Sequence, residues 1–322
     1  MATAEAPLRE IIKSISFTKF PLRTIDTFFV ADKIEKPRLY CYPPPPPPLE
    51  QSQSYIRTTT AGVSNDLANL PRLPTFDVKS LCILTALRFI DYDFDVEYTG
   101  EPDASPDKQL PFLLFCDGSV LCGKEIMSRL RGVVPGPSST SSASDGKDSS
   151  AALERFWFPE TDLPSELVYR TMAERNLVPA IEYMAWGDPV GRECIGVGRY
   201  LGQYPGIIQS ILGWIKSSEV IQGLKMVQPE YTAGDSMRLD GETVYETAFR
   251  ALDSLLVLFE DVSDSRMFLA GKRSLLDAVV FSCVSAALDA PVDSPLRKAL
   301  LCKDEYRRVL DYALRLRRLY FS

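Results

Sequence analysis

"FLAGKRSLLDAVVFSCVSAALDAP", residues 268–291, sets a charged entrance before a run that is apolar on nearly every face. The Ser274 hydroxyl can accept from an otherwise unpaired amide of a first helical turn, and Asp277 stands three residues on, where a capping box returns the bond. That spacing starts a helix at Leu275, and Pro291 stops it. Between them Leu275, Leu276, Val279, Val280, Phe281, Val284 and Leu288 leave no polar face wide enough to meet water. At under about twenty residues, with Ser282 and Ser285 inside, the run is short and polar for a membrane span, so it predicts the centre of a helical domain. Cys283 reads there as a small core hydrophobe.

The rest of the composition narrows the class. The 322 residues are 45% apolar and 25% charged, ordinary for a globular chain long enough for two domains. The net charge of −7 argues against a general grip on nucleic acid, which needs a basic surface. Seven cysteines, scattered and without a C-x-x-C pair, fit thiols kept reduced rather than a disulfide framework. There is no histidine, which excludes Ser-His-Asp and Cys-His nucleophiles and zinc sites with imidazole ligands. No Rossmann fingerprint, Walker loop or EF-hand loop occurs, so neither cofactor nor metal is expected and a binding role is favoured over catalysis. The first twenty residues carry Glu5 and Glu10 and lack an apolar core, which argues against a cleavable targeting peptide.

Residues 37–132 alternate strand and helix signals. "RLYCY" is a short strand by its aromatics and runs into Pro43 to Pro48, either a stiff extended loop or a ligand for a proline reader. "FDVKSLCILTALRFIDYD" places Leu81, Leu84, Leu87 and Ile90 at helical spacing, and "FDVEYT" alternates as a strand. In "LPFLLFCDGSVLCGKEIMSRL", Asp117-Gly118 suits a two-residue hairpin pairing Cys116 with Ser119 and Phe115 with Val120, before a helix from about Gly123. Residues 133–152 are small and polar with no apolar period and read as a flexible linker. Helices dominate residues 153–322, which read as a helical domain, and residues 1–36 form an arm outside both domains.

Strand, helix, strand, hairpin and helix resembles a thioredoxin-like domain, with Pro111 in the place of that family's cis-proline. Followed by an all-helical half whose central helix has a Ser-x-x-Asp cap, it resembles the glutathione S-transferase fold. The fold class is therefore α/β plus all-α. The resemblance would put an activating Tyr, Ser or Cys just after the first strand, where Tyr40 and Tyr42 are the candidates. It would also put an acid and a hydroxyl at the helix after the hairpin, where this chain has Gly123 and Lys124. A glutathione-dependent transferase is thus the alternative reading. Within the superfamily, "LVPAIEYMAWGDP" and "MFLAGKRSLLDAVVFSCVSAAL" resemble the metaxins, through Phe268, Gly271, Ser274, Leu276, Asp277, Ala278, Val280 and Phe281. "FPLRTIDTF" further resembles the peripheral metaxin-like receptor subunit of the fungal mitochondrial sorting and assembly machinery. The sister subunit tends to carry a C-terminal anchor, whereas "LRLRRLYFS" is too charged to span.

The resemblance implies a non-enzymatic, peripheral subunit on the cytosolic face of the mitochondrial outer membrane. Its partners would be the barrel-forming subunit, a second metaxin-like subunit and the β-signals of barrel precursors. Three surfaces are candidates for contact. Phe20, Leu22, Arg23, Asp26 and Phe28 belong to an apolar, aromatic segment that would be an association hazard unless covered, by its own domains or by a partner; the resemblance favours the partner. Ile207, Ile208 and Ile211, with Trp214 beside them, lie near one helical face, for which core packing is expected and a bilayer or partner is the alternative. Arg307, Arg308, Arg315, Arg317 and Arg318 read as a solvated basic face, with lipid head groups as the alternative.

Overall fold

Leu39, Tyr40 and Cys41 are buried on both faces of a four-residue strand, β1 (Arg38–Cys41), because β1 is an inner strand of a covered sheet. In the computed structural model, which describes residues 34–44, 70–100, 102, 105–132, 158, 164–202, 204–233, 238–260, 267–269 and 271–322, β1 pairs in parallel with β2 (Asp95–Tyr98). A parallel pair needs a crossover, and α1 (Val78–Phe89) supplies it. The other edge of β1 pairs antiparallel with β3 (Phe112–Leu114), which pairs antiparallel with β4 (Val120–Cys122), giving the order β2-β1-β3-β4. Helix α2 (Gly123–Leu130) follows directly. Leu110–Pro111 is cis. This is the thioredoxin-like arrangement that the sequence resembles.

The hairpin register differs by one residue from the expectation. Leu114, not Phe115, faces Val120, and Phe115 N–H donates to Ser119 O at 2.9 Å. The loop is therefore Cys116-Asp117-Gly118, a turn closed by Gly118 N–H onto Phe115 O, with Gly118 at φ 88°. A glycine in the left-handed region after such a turn makes the three-residue loop with its bulge, which an Asp-Gly pair satisfies as well as a two-residue turn.

The second half contains α3 (Pro164–Trp186), α4 (Gly206–Val227), α5 (Gly241–Glu260), α6 (Leu275–Leu288), α7 (Pro295–Cys302) and α8 (Arg307–Phe321), with a two-stranded ribbon, β5 (Thr232–Ala233) and β6 (Arg238–Leu239), ahead of α5. Every residue of α6 is buried, because α1, α3, α7 and α8 pack around it. Helix α1 is buried on nearly all sides for the same reason: α6, α2 and α3 pack on it, and Leu39 and Leu113 of the sheet share its core cluster.

Ser274 is the N-cap of α6, extended at φ −140° and ψ 164°, and its Oγ accepts from Asp277 N–H at 3.2 Å. Asp277 does not return the bond to the Ser274 amide. Its Oδ2 accepts from Ser274 Oγ at 2.6 Å, and its Oδ1 accepts from Leu269 N–H at 2.9 Å and Tyr312 Oη at 2.7 Å. Ser274→Ala removes one acceptor and one donor while this hub persists, so a loss of about 1 kcal/mol is expected in denaturant unfolding; an unchanged midpoint would show an idle cap.

Arg273, where a hydrophobic staple would stand, ties the two halves together by donating to Phe89 O at 2.9 Å and Asp91 Oδ2 at 2.6 Å. Arg317 donates to Pro71 O at 2.7 Å and pairs with Asp289 at 3.0 Å, and Arg88 donates to Tyr320 O.

Candidate functional site

The two halves face each other across a cleft of about 500 Å³. Its wall on the sheet side is the end of β1, with Tyr42, and the approach to α1, with Phe76 and Asp77. Asp77 sits there because it caps α1: its Oδ2 accepts from Ser80 N–H at 2.7 Å and Ser80 Oγ at 2.6 Å. The facing wall is α3 near Trp186, α4, and a π-helical segment, Arg192–Tyr200, that carries Arg199 and Tyr200. Gly196 permits this close fit, since a Cβ there would lie 2.6 Å from Ala185 O and 2.9 Å from the Trp186 ring.

Tyr200 is the hub of the cleft's aromatic wall. Its ring meets Tyr42 edge-on at 4.7 Å and Phe76 at 4.5 Å, and is tilted on Trp186 at 5.2 Å. Its hydroxyl donates to Asp77 Oδ1 at 2.8 Å, joining the helical half to the cap of α1. Burial, then the Asp77 charge, hold the Tyr42 and Tyr200 hydroxyls well above the usual phenol range. Cys41, nearby on β1, is pushed up to about 12, first by burial and then by Asp77. These groups stay protonated at neutral pH, which suits hydrogen-bond donation and aromatic packing rather than the activation of a thiol.

The other positions named for a transferase are not assembled around this cleft. Tyr40 stacks on Phe112, with ring centroids 4.7 Å apart and planes at 10°, in a small apolar cluster that includes Leu110 and Leu114. Gly123 lies against Pro111, whose carbonyl oxygen would be 3.2 Å from an added Cβ, and Lys124 is exposed. Neither offers the acid or the hydroxyl that would hold a γ-glutamyl group, so the residues present do not fit glutathione as the resemblance would place it.

Two surface expectations need correction. Core packing was expected for the face of Ile207, Ile208, Ile211 and Trp214, but α4 buries only Gly213, Ser217 and Leu224. Ile207 is 80% exposed and Trp214 57%, while Ile208 and Ile211 are half-buried. The reason is that α4 is seated through its small residues: Gly213 faces Val197, and Ser217 Oγ donates to Trp186 O at 2.7 Å. The C-terminal arginines are not one solvated face either. Arg317 is buried and paired, and Arg307 pairs with Asp311 at 3.4 Å, because α8 turns the Arg317 side toward the domain seam. Phe20, Leu22, Arg23, Asp26 and Phe28, and the expected linker at 133–152, lie outside the described residues. Sequence reasoning passed over Asp77, Arg199 and Tyr200. The Asp77-to-Ser80 spacing in "FDVKS" is a cap signal that could have found the first; "RECIGVGRY" shows only its glycines.

Among the described residues no helix is long and apolar enough to cross a membrane. No protein-family model matches the chain. Among solved structures, it is similar to a glutathione transferase from Phanerochaete chrysosporium, with 14% identity and a TM-score of 0.44 over 87% of this chain and 97% of that one. A beta-etherase from Sphingobium gives 11% identity and a TM-score of 0.38 over 86% and 99%. Human metaxin-1 is 24% identical over 223 residues, covering 69% of this chain and 43% of the human protein. Mouse metaxin-1 is 24% identical over 225 residues, and the match takes in 69% of this chain but only 64% of the mouse protein. The chain is thus distantly similar in sequence to metaxin-1 over about two thirds of its own length, and spans less than two thirds of the metaxin-1 chains it matches.

Proposed function

We propose that this chain is a non-enzymatic subunit of a mitochondrial outer-membrane sorting and assembly machinery, peripheral on the cytosolic side, that helps receive and insert β-barrel precursors. The observation that carries the reading is the similarity to metaxin-1, which extends over more than two thirds of the chain. The chemistry of the cleft is consistent with it, since Tyr42 and Tyr200 are held protonated and Gly123 and Lys124 replace a γ-glutamyl holder. In this reading the partners are the barrel-forming subunit, a second metaxin-like subunit and precursor β-signals. In this reading the chain takes the place of the peripheral metaxin-like receptor subunit of the fungal machinery, which "FPLRTIDTF" resembles.

The anchor to the barrel subunit is the segment 20–29, with Phe20, Leu22 and Phe28 as its apolar centre and Arg23 and Asp26 orienting it by charge-assisted bonds. Deletion of residues 20–29 should abolish co-purification with an outer-membrane barrel protein while circular dichroism and thermal melting stay unchanged. Co-purification that survives the deletion with the fold intact would remove the anchor. Retention of the wild-type chain on immobilised glutathione, with measurable thiol transfer, would replace the whole reading by that of an enzyme.

A further inference from the structure

"DYDFDVEY", residues 91–98, alternates acids with aromatic or aliphatic residues without a break. A strand sends successive side chains to opposite faces, so the pattern lays two rows along β2 and its approach. Asp93, Asp95 and Glu97 make an exposed acidic row. Asp93 pairs with Lys36 at 2.9 Å, Glu97 lies 3.8 Å from Arg38, beyond hydrogen-bond length, and Asp95 has no ion pair among the described residues. The other row is apolar. Tyr92 stacks on Phe94 with ring centroids 6.2 Å apart, Val96 packs against the core, and Tyr98 is 47% exposed.

The main chain between the two rows is open on one side. β2 ends the order β2-β1-β3-β4, so its outer edge meets no strand among the described residues. Asp95 N–H donates to Pro37 O at 2.9 Å and Thr99 N–H to Cys41 O at 3.0 Å, both toward β1. Alternate residues of a strand turn their main-chain groups to opposite sides, so the N–H and C=O of Val96 and Tyr98 point to the open edge. The connection to β3 is drawn to the far side of the sheet, since Ser105 Oγ lies 3.8 Å from Cys122 Sγ on β4. Unpaired main-chain groups along an edge are a template for another strand. A second copy of β2 does not suit it, because the acidic row would then stand beside its own like charges. A basic strand does.

We propose that the outer edge of β2 is a docking surface for an extended peptide of alternating basic and apolar residues, added to the sheet as a fifth strand. The main chain of the peptide pairs with Val96 and Tyr98, its cations lie beside Asp95 and Glu97, and its apolar side chains lie beside those of Val96 and Tyr98. The inference goes beyond the assembly role and uses neither segment 20–29 nor the interdomain cleft.

Fluorescence anisotropy of a labelled, end-blocked octapeptide of alternating lysine and valine, titrated with the full chain, tests this. One peptide should bind per chain. The same peptide N-methylated throughout keeps its charges and loses its main-chain donors, and glutamate in place of lysine reverses the charge; each should bind roughly tenfold more weakly or worse. Tyr98→Pro removes an outward N–H without touching the bonds to β1, so it should weaken the lysine peptide about tenfold while circular dichroism stays unchanged. Asp95→Lys combined with Glu97→Lys should turn the preference to the glutamate peptide. No binding of the lysine peptide, equal binding of its N-methylated form, or unchanged affinity in a folded Tyr98→Pro would overturn the proposal. Should that variant not fold, amide hydrogen exchange of the wild type decides. Saturation with the lysine peptide should slow exchange at Val96 and Tyr98, and unchanged exchange there overturns strand addition.

Discussion

Asp277→Ala should lower stability by about 3–5 kcal/mol in urea unfolding, well beyond the loss expected for Ser274→Ala. Asp277 is fully buried and is the shared acceptor for Ser274 Oγ, Leu269 N–H and Tyr312 Oη. Alanine leaves all three donors in the interior without that partner. It also unties α8 from α6, since Tyr312 comes from the last helix. A loss near 1 kcal/mol would show that the hub is no more than a cap.

The same residue sets a pH dependence with a definite sign. Burial raises the Asp277 carboxyl to about 6; bonds from Ser274, Leu269 and Tyr312 oppose the rise, and the nearby Glu166 charge adds to it. A folded-state value above the unfolded one favours the protonated native state. This contribution is complete below about pH 4 and is lost as pH rises through about 6, a change of about 3 kcal/mol. Asp277→Asn keeps an oxygen for Leu269 and Tyr312 and can donate its amide to Ser274 Oγ. The stability difference between wild type and Asp277→Asn should therefore move by about that amount between pH 4 and pH 7; a flat difference would refute it.

Arg317→Leu is the second large effect, about 2–4 kcal/mol. The Arg317 side chain is 8% exposed, and its guanidinium serves both Asp289, at 3.0 Å, and Pro71 O, at 2.7 Å. Removing one partner of a buried pair strands the other, although Arg199 and Arg297 remain near Asp289 and moderate the cost. Arg273→Leu, with a more exposed pair on Asp91, should lose about 1 kcal/mol. Equal losses for the two would mean that the seam does not depend on the buried contact.

Local signals carried much of this fold. The polar spacing before Leu275 marks the start of α6, and an all-round apolar run marks its burial, because both depend on neighbours within a few residues. The same holds for Leu81, Leu84 and Leu87, all in the core. The hairpin register was not legible, since an Asp-Gly pair serves loops of two and three residues alike, and only the partner strand decides. Exposure of Ile207 and Trp214 was hidden for a different reason. An apolar stripe looks the same whether it seals a core or stands outside it, and here the seat is made by Gly213 and Ser217 on the neighbouring face. The cleft was least visible of all. Tyr42, Asp77 and Tyr200 are brought together over 158 positions of chain, and no local period encodes that meeting.

The arginine ties across the seam also bear on how the chain is made. The acceptors on the sheet side, Pro71 O and Phe89 O, wait for donors 246 and 184 residues downstream, and Arg88 waits 232 residues for Tyr320 O. At ribosomal speeds of about 5–20 residues per second, that is a delay of roughly 10–50 s. Throughout it the outer face of α1, which α6 will later cover, is bare hydrocarbon on a nascent chain. The first half thus leaves the ribosome as an unfinished surface, and chaperones have their longest opportunity to bind it before α8 is synthesised.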